Sequence, residues 1–352
     1  MDSKKPYLAV IFIQMIYSGM ILLSKAAFNE GMNSCIFIFY RQLAGTVFVL
    51  PFAMIFERKN ATPLSFVTFC KIFMVAFLGI TLSLNAFSLA LIYTNATLGA
   101  AAVNCLPVTT FFYAVLLRME KVRIRTTQGL FKIAGLLLCI IGVAILTFYK
   151  GPKLKPLFHH YLLEYHEPIH HQSQVSSNKR WIIGCLLFFV SINSWGLWLV
   201  FQTRVLSSYP SKLSFTALQC LSSAIQSFIP AIALERDPNQ WKLGWDIRLI
   251  LVLYCGIMVT GVTLYLQTWV LEKKGPVFQA MSQPLNLIFT IFGSIFLLGE
   301  VINLGSVLGG IFLVVSLYTV LWGENMNKTK GKQECLPVQA EKECVELKEQ
   351  VK

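Results

Sequence analysis

The sequence predicts an all-α integral membrane protein with ten transmembrane helices, arranged as two inverted five-helix repeats. Three observations predict this fold: a membrane-like composition, ten long apolar segments, and similar peptides at corresponding places in the two halves. Of the 352 residues, 55% are hydrophobic and 13% are charged, and the mean hydropathy is +0.62. A soluble domain carries roughly twice that share of charge, so we expect the lipid bilayer to be the solvent.

The basic residues follow the pattern of membrane topology. The formal net charge is +13, but most Lys and Arg residues lie in short segments between apolar runs, which argues against a nucleic-acid partner. The nine cysteines are spread singly with no CxxC pair, so neither a disulfide framework nor a zinc site is expected. The expected partners are the bilayer and a small-molecule solute. No cofactor is expected, and the sequence indicates no particular protein partner.

Ten segments are long and apolar enough to cross about 30 Å of hydrocarbon, which takes about 20 residues in a helix. They are residues 7–27, 34–56, 66–91, 98–117, 129–149, 181–203, 214–234, 247–271, 277–298 and 302–322. The first follows Lys4 and Lys5, but its apolar run is too long for a signal peptide.

The connections predict the orientation. "ERKN" (57–60) and "RMEKVRIR" (118–125) are basic, whereas "FNEGMNS" (28–34) and "YTNAT" (93–97) contain no Lys or Arg. Since basic connections face the cytoplasm, both termini are expected to be cytosolic. The basic 150–180 connection departs from the rule, but it is long and of mixed charge and therefore counts for less.

The two halves resemble each other in sequence. "GITLSLNAF" (79–87) matches "GVTLYLQTW" (261–269) at four of its nine positions, and Pro107 in "NCLPVT" matches Pro284 in "MSQPLN". Because five helices is an odd number, the second half enters the membrane from the opposite side, as in many transporters. We predict a first repeat at 1–150, an extracytoplasmic His-rich connection at 151–180, a second repeat at 181–322 and a disordered cytosolic tail at 323–352.

Several peptides resemble a known family. They are "SKAAFNEGMN", "FYRQLAG", "PFAMIFERK", "YTNATLGAAAVNCLP", "TWVLEKKGPVFQAMSQPL", "LLGE" and "LYTVLWGE", in order from residue 5 to about 325. The chain is similar to the plant Walls-Are-Thin-related, or nodulin-21-like, proteins, which are EamA-type members of the drug/metabolite transporter superfamily. The resemblance implies two EamA repeats and the export or facilitated movement of small organic solutes, with amino acids and auxin as substrate classes. For such a transporter we expect the plasma membrane rather than a vacuolar membrane or another endomembrane.

Arg41, in "FIFYRQLAG" (37–45), is the first candidate for binding a solute. It lies seven residues into its helix, or ~10 Å at 1.5 Å per residue. A cation at that depth costs roughly 2.5–3.5 kcal/mol and normally faces protein or a water-filled cavity. Arg41 could bind a carboxylate through two parallel hydrogen bonds. The alternatives are an outer gate pair with Glu300 and a fixed structural pairing. Its counterpart in the second repeat, the uncharged Gln219, is also predicted to bind the substrate.

Pro107 and Pro284 mark the second candidate site. Paired interruptions at matching places in two repeats are the best sequence pointer to a transport site. Other polar residues stand on the same or neighbouring helices, so the predicted substrate-binding set also includes Asn85, Asn104, Gln267 and Gln283. The alternative is a pair of ordinary proline kinks satisfied by adjacent helices.

Other polar and aromatic residues are assigned structural roles. Tyr265, Trp269, Trp195 and Trp198 could stack an aromatic solute, but packing is the more common role of such residues. Lys25 and Arg204 end the first helix of each half and are expected to snorkel. The five histidines, between His159 and His171, match no standard metal-site spacing and are read as part of a solvated loop.

The predicted activity is solute transport by alternating access. No Walker motif is present, and no acid or histidine lies at mid-depth in the predicted spans. We therefore expect the solute to cross by facilitated diffusion or by exchange. An intramembrane enzyme would need convergent carboxylates, histidines or a nucleophile pair, which the spans lack. The remaining alternative is a non-transporting scaffold or receptor, which would act through the cytosolic tail.

Overall fold

The structure is a computed structural model of the chain, and its described residues fold into helices connected by short loops. It describes residues 5–29, 33–57, 64–94, 96–120, 126–149, 151–152, 178–209, 211–238, 240–293, 304–320 and 322–323. No β-strand occurs within these ranges. The histidines, Glu30, Glu300 and the tail from residue 324 lie outside the described residues.

Each of the ten predicted segments is mainly helical where it is described. The helices are α1 (Lys5–Asn29), α2 (Ser34–Phe56), α3 (Phe66–Tyr93), α4a (Ala96–Asn104), α4b (Leu106–Leu116), α5 (Thr127–Phe148), α6 (Asn178–Ser208), α7 (Lys212–Leu234), α8 (Ile247–Lys274), α9a (Pro276–Met281), α9b (Gln283–Gly293) and α10 (Leu304–Val320). In the described part of the chain, seven helices are long and apolar enough to cross a membrane. They confirm the all-α membrane class.

Two of the remaining three predicted spans are not continuous helices, because the segments predicted at 98–117 and 277–298 are each broken into two pieces. Helix α10, Leu304–Val320, lies within the predicted span 302–322. Two of the long helices carry wider π-helical turns, Phe77–Leu82 in α3 and Cys255–Thr263 in α8. These turns lie in or beside the matching peptides of the two halves. Apolar periodicity does not distinguish a π turn from an α turn, so the sequence did not indicate them.

Helix packing follows the internal symmetry. Helix α2 packs most extensively against its own counterpart α7. If the two halves are exchanged, the α1–α9b contact corresponds to the α6–α4b contact, and both are present. Likewise, the α3–α6 contact corresponds to the α8–α1 contact, and both of these are present too. The same holds for α2–α8 and α7–α3. The two halves are therefore equivalent in their packing as well as in sequence.

Buried polar side chains join the helices across the bundle. Ser83 and Ser191 exchange hydrogen bonds with each other's carbonyl oxygens, at 3.1 and 2.8 Å, and join α3 to α6. Thr81 donates to Gln226 Oε1 at 2.9 Å and joins α3 to α7. In hydrocarbon, where water cannot compete, such bonds and close backbone contacts replace the hydrophobic effect as the force between helices.

A matched pair of carboxylates holds α2 and α7 together at both ends. Glu57, at the end of α2, accepts hydrogen bonds from the backbone N–H groups of Leu213 and Ser214, at 3.0 and 2.7 Å. Glu235, at the end of α7, accepts from the side chain of Asn33 at 2.8 Å, and Asn33 is the N-cap of α2. Each helix thus ends on a carboxylate that binds the N-terminus of the other, where orphan N–H groups and the helix dipole favour negative charge.

Replacing Glu57 with alanine should destabilise the protein, because two N–H groups at the start of α7 would lose their acceptors. We expect a loss of about 1–3 kcal/mol, visible as a lower thermal unfolding midpoint of the detergent-solubilised protein. The matched control is Glu272→Ala. Glu272 pairs with Lys212 at the same end of α7, but its side chain is 38% exposed, so the loss should stay below about 1 kcal/mol. Equal effects of the two substitutions would contradict the capping role of Glu57.

Gly79 permits a close approach of α3 to α6. A Cβ atom added to Gly79 would lie 1.9 Å from Cγ of Trp198, a core residue that is 2% exposed. Gly79→Ala should therefore force the two helices apart and sharply reduce the yield of folded protein, measured by monodispersity on size-exclusion chromatography. Gly310→Ala is the control, because its nearest atom would be 3.9 Å away. Similar yields of folded protein for the two variants would show that α3 and α6 can adjust their packing at this crossing.

Candidate functional site

The same interrupted turn occurs in both halves of the molecule. Helix α4 breaks at Cys105 (φ −78°, ψ −10°) and helix α9 breaks at Ser282 (φ −77°, ψ −8°). Each break is closed by a short i to i−3 hydrogen bond, Cys105 N to the Ala102 oxygen at 3.0 Å and Ser282 N to the Gln279 oxygen at 3.3 Å. A proline follows two residues after each break, as the second residue of the new helix. The predicted paired interruption is therefore present.

Polar side chains surround the break in α9. Gln14 of α1 donates from Nε2 to Ser282 Oγ at 2.7 Å, and Ser282 Oγ donates to the Gln279 carbonyl at 2.6 Å. Gln14 Oε1 and both side-chain polar atoms of Gln279 have no hydrogen-bond partner among the described residues, although both residues are buried. Gln283 and Pro284 are buried immediately beyond the break. The sequence predicted Gln283 and Pro284 but missed Gln14, because a single glutamine in an apolar span gives no periodic signal.

The break in α4 has a different environment. Asn104 is buried, and its carbonyl accepts a weak hydrogen bond from Cys139 of α5 at 3.7 Å. Pro107 is also buried, and one turn further the Thr110 hydroxyl has no partner in the described part of the chain. Gln14 and Arg41 donate hydrogen bonds to residues outside α4. The predicted site residues therefore lie in two regions: Asn104 and Pro107 lie at the break in α4, apart from the residues bonded to Gln14 and Arg41.

Arg41 is buried at the junction of α1, α2 and α8. Its side chain is 9% exposed. Nε donates to Thr260 Oγ1 at 3.1 Å, and Nη1 lies 3.7 Å from the Met20 sulfur. A hydroxyl and a thioether are weak partners for a guanidinium, which carries five N–H donors. Arg41 therefore retains unused capacity to donate hydrogen bonds to an anion.

No carboxylate balances the Arg41 charge within the described residues. Ion pairs among the described residues include Lys132–Glu120, Lys212–Glu272 and Arg248–Asp246, none of which involves Arg41. Glu300, the predicted gate partner, lies outside the described residues, so the Arg41–Glu300 pair remains a prediction. A buried charge without a counter-ion is costly and usually marks a functional site in a membrane protein.

Two buried amide side chains, Gln267 and Gln219, lie on α8 and α7. Gln267 is 1% exposed and accepts a hydrogen bond from the Tyr17 hydroxyl at 3.4 Å. Gln219, the counterpart of Arg41 in the second repeat, is fully buried, and neither its Nε2 nor its Oε1 has a partner in the described structure. Its neighbour Cys220 contacts the carbonyl of Thr260, the residue whose hydroxyl binds Arg41. Arg41 and the residue next to Gln219 thus contact the same residue of α8, Thr260, and Gln267 lies two turns, about 10 Å, further along that helix.

Three polar residues repeat along one face of α8. Thr260, Gln267 and Lys274 are seven residues apart, which is two helical turns and about 10 Å between neighbours. Arg41 bonds to the first and Tyr17 to the second, and the Tyr7 hydroxyl accepts from the third at 3.1 Å. We call these three residues the α8 stripe. The seven-residue spacing is visible in the sequence, and it is the signal that would have connected Arg41 with Gln267.

Asn85 and the aromatic candidates do not join the Arg41 group. Asn85 donates to the Thr81 carbonyl of its own helix at 2.7 Å, beside the π-helical turn, and its Oδ1 has no partner in the described chain. Trp198 packs within the core, while Tyr265 is 36% exposed. Trp195 and Trp269 pack at the edges of two hydrophobic clusters.

Comparison with known proteins identifies the family. The model of the EamA-like transporter family matches residues 4–148 and 182–322. The chain belongs to the EamA-like transporter family. A WAT1-related protein of Arabidopsis thaliana is 52% identical over 348 residues, covering 98% of this chain and 97% of that protein. Protein WALLS ARE THIN 1 of Arabidopsis thaliana is 34% identical, covering 96% and 87% of the two chains.

The fold also matches a solved structure. One crystal structure aligns with a TM-score of 0.65 over 92% of this chain and 99% of that chain, at 13% sequence identity. At that identity the match shows the fold alone. The family match confirms the resemblance to WAT1-related EamA proteins and supports membrane transport of small solutes. The family is one of transporters rather than enzymes.

Gln219 offers a test that separates stability from function. Replacing it with leucine removes a buried amide that has no partner, so the thermal unfolding midpoint should rise by the equivalent of about 1–3 kcal/mol. If the amide serves a solute, flux should fall in the same variant, which is the expected trade-off at a binding site.

The control is Gln226→Leu. Gln226 accepts from Thr81 Oγ1 at 2.9 Å and donates to the Phe73 carbonyl at 3.0 Å, so its loss should lower the midpoint. A lower midpoint in Gln219→Leu would show that Gln219 has a structural role, and unchanged flux would show that its amide does not serve the solute.

Proposed function

We propose that this protein transports small organic solutes that carry a carboxylate, with amino acids and auxin-like acids as the main candidates. The observation that supports this most strongly is the buried Arg41, which has no carboxylate partner among the described residues. A guanidinium binds a carboxylate through two parallel hydrogen bonds, and its charge persists at any physiological pH. A carboxylate solute would supply the counter-charge that the described protein lacks.

The groups around Arg41 suit the rest of such a solute. The amide of Gln219 offers both a donor and an acceptor, and Tyr17 and Gln267 line the adjoining turns of α1 and α8. Met20 supplies a flexible apolar contact that adapts to solutes of different shape. A charged side from the first half and a neutral side from the second would therefore enclose the carboxylate and the uncharged part of the solute.

The solute path we propose follows the α8 stripe through the bundle. It runs from Lys274 past Gln267 to Thr260 and Arg41, and α1 accompanies it with Tyr7, Gln14 and Tyr17. The broken turn at Ser282 adjoins this path through Gln14. Rocking of one half against the other about the α2–α7 contact would open the path to each side in turn.

We propose that the solute crosses the membrane by facilitated diffusion or by exchange. In the described spans, carboxylates such as Glu57, Glu120 and Glu272 lie only at helix ends. None is placed at mid-depth to carry a proton with the solute. We also propose the plasma membrane as the site of action, with both termini cytosolic and with repeats at 1–150 and 181–322.

Flux through proteoliposomes tests this proposal. We expect wild-type protein to carry indole-3-acetate or glutamine in preference to glucose. Arg41→Gln should reduce carboxylate flux at least about tenfold, because one charge-assisted pair is lost. Arg41→Lys should give an intermediate rate, since the positive charge remains but the two parallel hydrogen bonds of the guanidinium are lost. Arg204→Gln is the control, because Arg204 is exposed near the end of α6.

Two results would contradict the proposal. One is carboxylate flux through monodisperse Arg41→Gln protein equal to that of Arg204→Gln. The other is a wild-type rate for glucose that matches or exceeds both carboxylates.

A further inference from the structure

Two buried glutamines from different helices are held in the same way. Gln14 of α1 donates from Nε2 to Ser282 Oγ at 2.7 Å. Gln202 of α6 donates from Nε2 to Thr268 Oγ1 at 2.9 Å. Each hydroxyl uses its own hydrogen on a carbonyl one turn back in its own helix, at 2.6 and 2.8 Å. Because a hydroxyl has one hydrogen, both must accept from the glutamine, so each amide is oriented with Nε2 toward the hydroxyl and Oε1 away from it.

Both glutamines keep a buried oxygen that binds no other group in the described structure. Gln14 Oε1 and Gln202 Oε1 have no hydrogen-bond partner among the described residues, although both side chains are fully buried. Gln279 of α9a is buried too, and neither its Oε1 nor its Nε2 has a partner in the described part of the chain. A buried polar atom without a partner is costly and uncommon in a folded protein. These atoms therefore indicate a group that binds them in the working protein.

The three glutamines lie at about the same depth in the bundle. Gly275 forms the turn between α8 and α9, with Thr268 seven residues before it and Ser282 seven residues after it. The two helices contact each other as they leave the turn, so both hydroxyls lie ~10 Å from it at 1.5 Å per residue. Each glutamine bonds to one of these hydroxyls through its side chain or its carbonyl. We call the three residues the glutamine layer: Gln14, Gln202 and Gln279.

The helices that carry the glutamine layer meet at one junction. Helix α1 contacts α8 and α9b, and helix α6 contacts α8 and α9a, so α8 and α9 lie between α1 and α6. Phe278 packs with residues of α1, and Ala280 packs with residues of α6 and α8. Successive helical residues are about 100° apart, so the Gln279 side chain projects between those two directions. The layer therefore lines the junction of α1, α6, α8 and α9.

The broken turn in α9 does not itself require these polar residues. The matching turn in α4 has nearly the same backbone angles, with φ −78° and ψ −10° at Cys105 against φ −77° and ψ −8° at Ser282. There a cysteine stands at the position of the serine. Three residues earlier, Ala102 stands at the position of Gln279. The amide and the hydroxyl in the second half therefore serve a purpose other than forming the turn.

The glutamine layer adjoins the proposed solute path. Gln267, the middle member of the α8 stripe, is the neighbour of Thr268 in the chain. Thr260, which binds Arg41, is eight residues from Thr268, or ~12 Å along α8. The layer is therefore a separate stop from Arg41, and its side chains are neutral where Arg41 is charged. Amide oxygens accept hydrogen bonds from N–H groups, whereas they repel a carboxylate.

We propose that the glutamine layer binds the N–H group of the solute, so that the protein favours carboxylates that also carry an N–H donor. Three oxygens of the layer can accept, and only Gln279 Nε2 can donate, so the layer suits a hydrogen-bond donor such as an ammonium or an indole N–H. The inference rests on the proposed function for the carboxylate, and it adds specificity for the other end of the solute. Ordered water is the usual alternative, since water also satisfies buried amides.

Matched ligands test the glutamine layer through binding to the purified protein. Indole-3-acetate and benzothiophene-3-acetate share the carboxylate and the ring shape, but sulfur replaces the ring N–H in the second. Wild-type protein should bind the indole acid about tenfold more tightly, because the amide oxygens have no donor in the other complex. Gln14→Met and Gln202→Met keep the length of the side chain and remove the acceptor. Each should bring the ratio of the two dissociation constants toward one.

Gln226→Met is the control variant. Both polar atoms of the Gln226 side chain are bonded to α3, at 2.9 and 3.0 Å, so this residue has no unused acceptor. The variant should retain the wild-type ratio of dissociation constants. A second ligand pair, phenylalanine and 3-phenylpropanoate, differs by the ammonium group. Whichever pair shows the dependence on the glutamine layer identifies the N–H group that is bound, an indole N–H or an ammonium.

The glutamine layer and Arg41 fail by different results. The layer is overturned if wild-type protein binds both members of each pair equally, as water in the layer would predict. It is also overturned if Gln14→Met and Gln202→Met both keep the wild-type ratio, or if Gln226→Met lowers it as much as they do. The Arg41 assignment fails if Arg41→Gln weakens indole-3-acetate and indole-3-acetamide equally. Both of these ligands carry the indole N–H, so that comparison does not depend on the layer.

Discussion

The unbalanced charge of Arg41 is the constraint on which this account of the molecule depends. A guanidinium cannot be neutralised by deprotonation, so burial among helices must be offset by an anion, by water or by many hydrogen bonds. In the described structure it has one hydroxyl and one thioether within contact distance. A fold that keeps such a group in the membrane accepts a loss of stability at that position. Binding of an anionic solute would offset this cost, and the cost itself would favour solutes that carry a negative charge.

The two-fold architecture explains how such a site can be both held and opened. Helices α2 and α7 are fastened at both ends by Glu57 and Glu235, so they form a stable central pair. The broken turns at Cys105 and Ser282 and the π-helical turns in α3 and α8 lie on the helices around this pair. Irregular backbone is tolerated in a membrane only where protein or a cavity satisfies it, and it is often found at functional sites. In the proposed transport cycle, the α2–α7 pair would therefore support the bundle while the helices with irregular backbone move.

Much of the fold could be predicted from the sequence, because the bilayer imposes a simple rule on length and hydropathy. Helix α2 has the predicted bounds, 34–56, and the matched prolines indicated the two broken turns. The site was predicted less completely. Arg41 and Gln267 were predicted separately. Their connection depends on Thr260 and Tyr17, whose contacts are known only once the helices are placed side by side. The position of Gln14 beside the broken turn depends on a contact with Ser282, far away in the chain, which one sequence does not contain.

A binding cycle between Arg41 and the solute carboxylate tests the central claim most directly. The affinities of wild-type and Arg41→Gln protein would be measured for indole-3-acetate and for indole-3-acetamide, which differs at the carboxylate alone. The account predicts that the substitution weakens binding of the acid by about tenfold or more and leaves binding of the amide nearly unchanged, a coupling of at least about 1.4 kcal/mol. Equal weakening of both ligands, or of neither, would contradict a contact between Arg41 and the carboxylate.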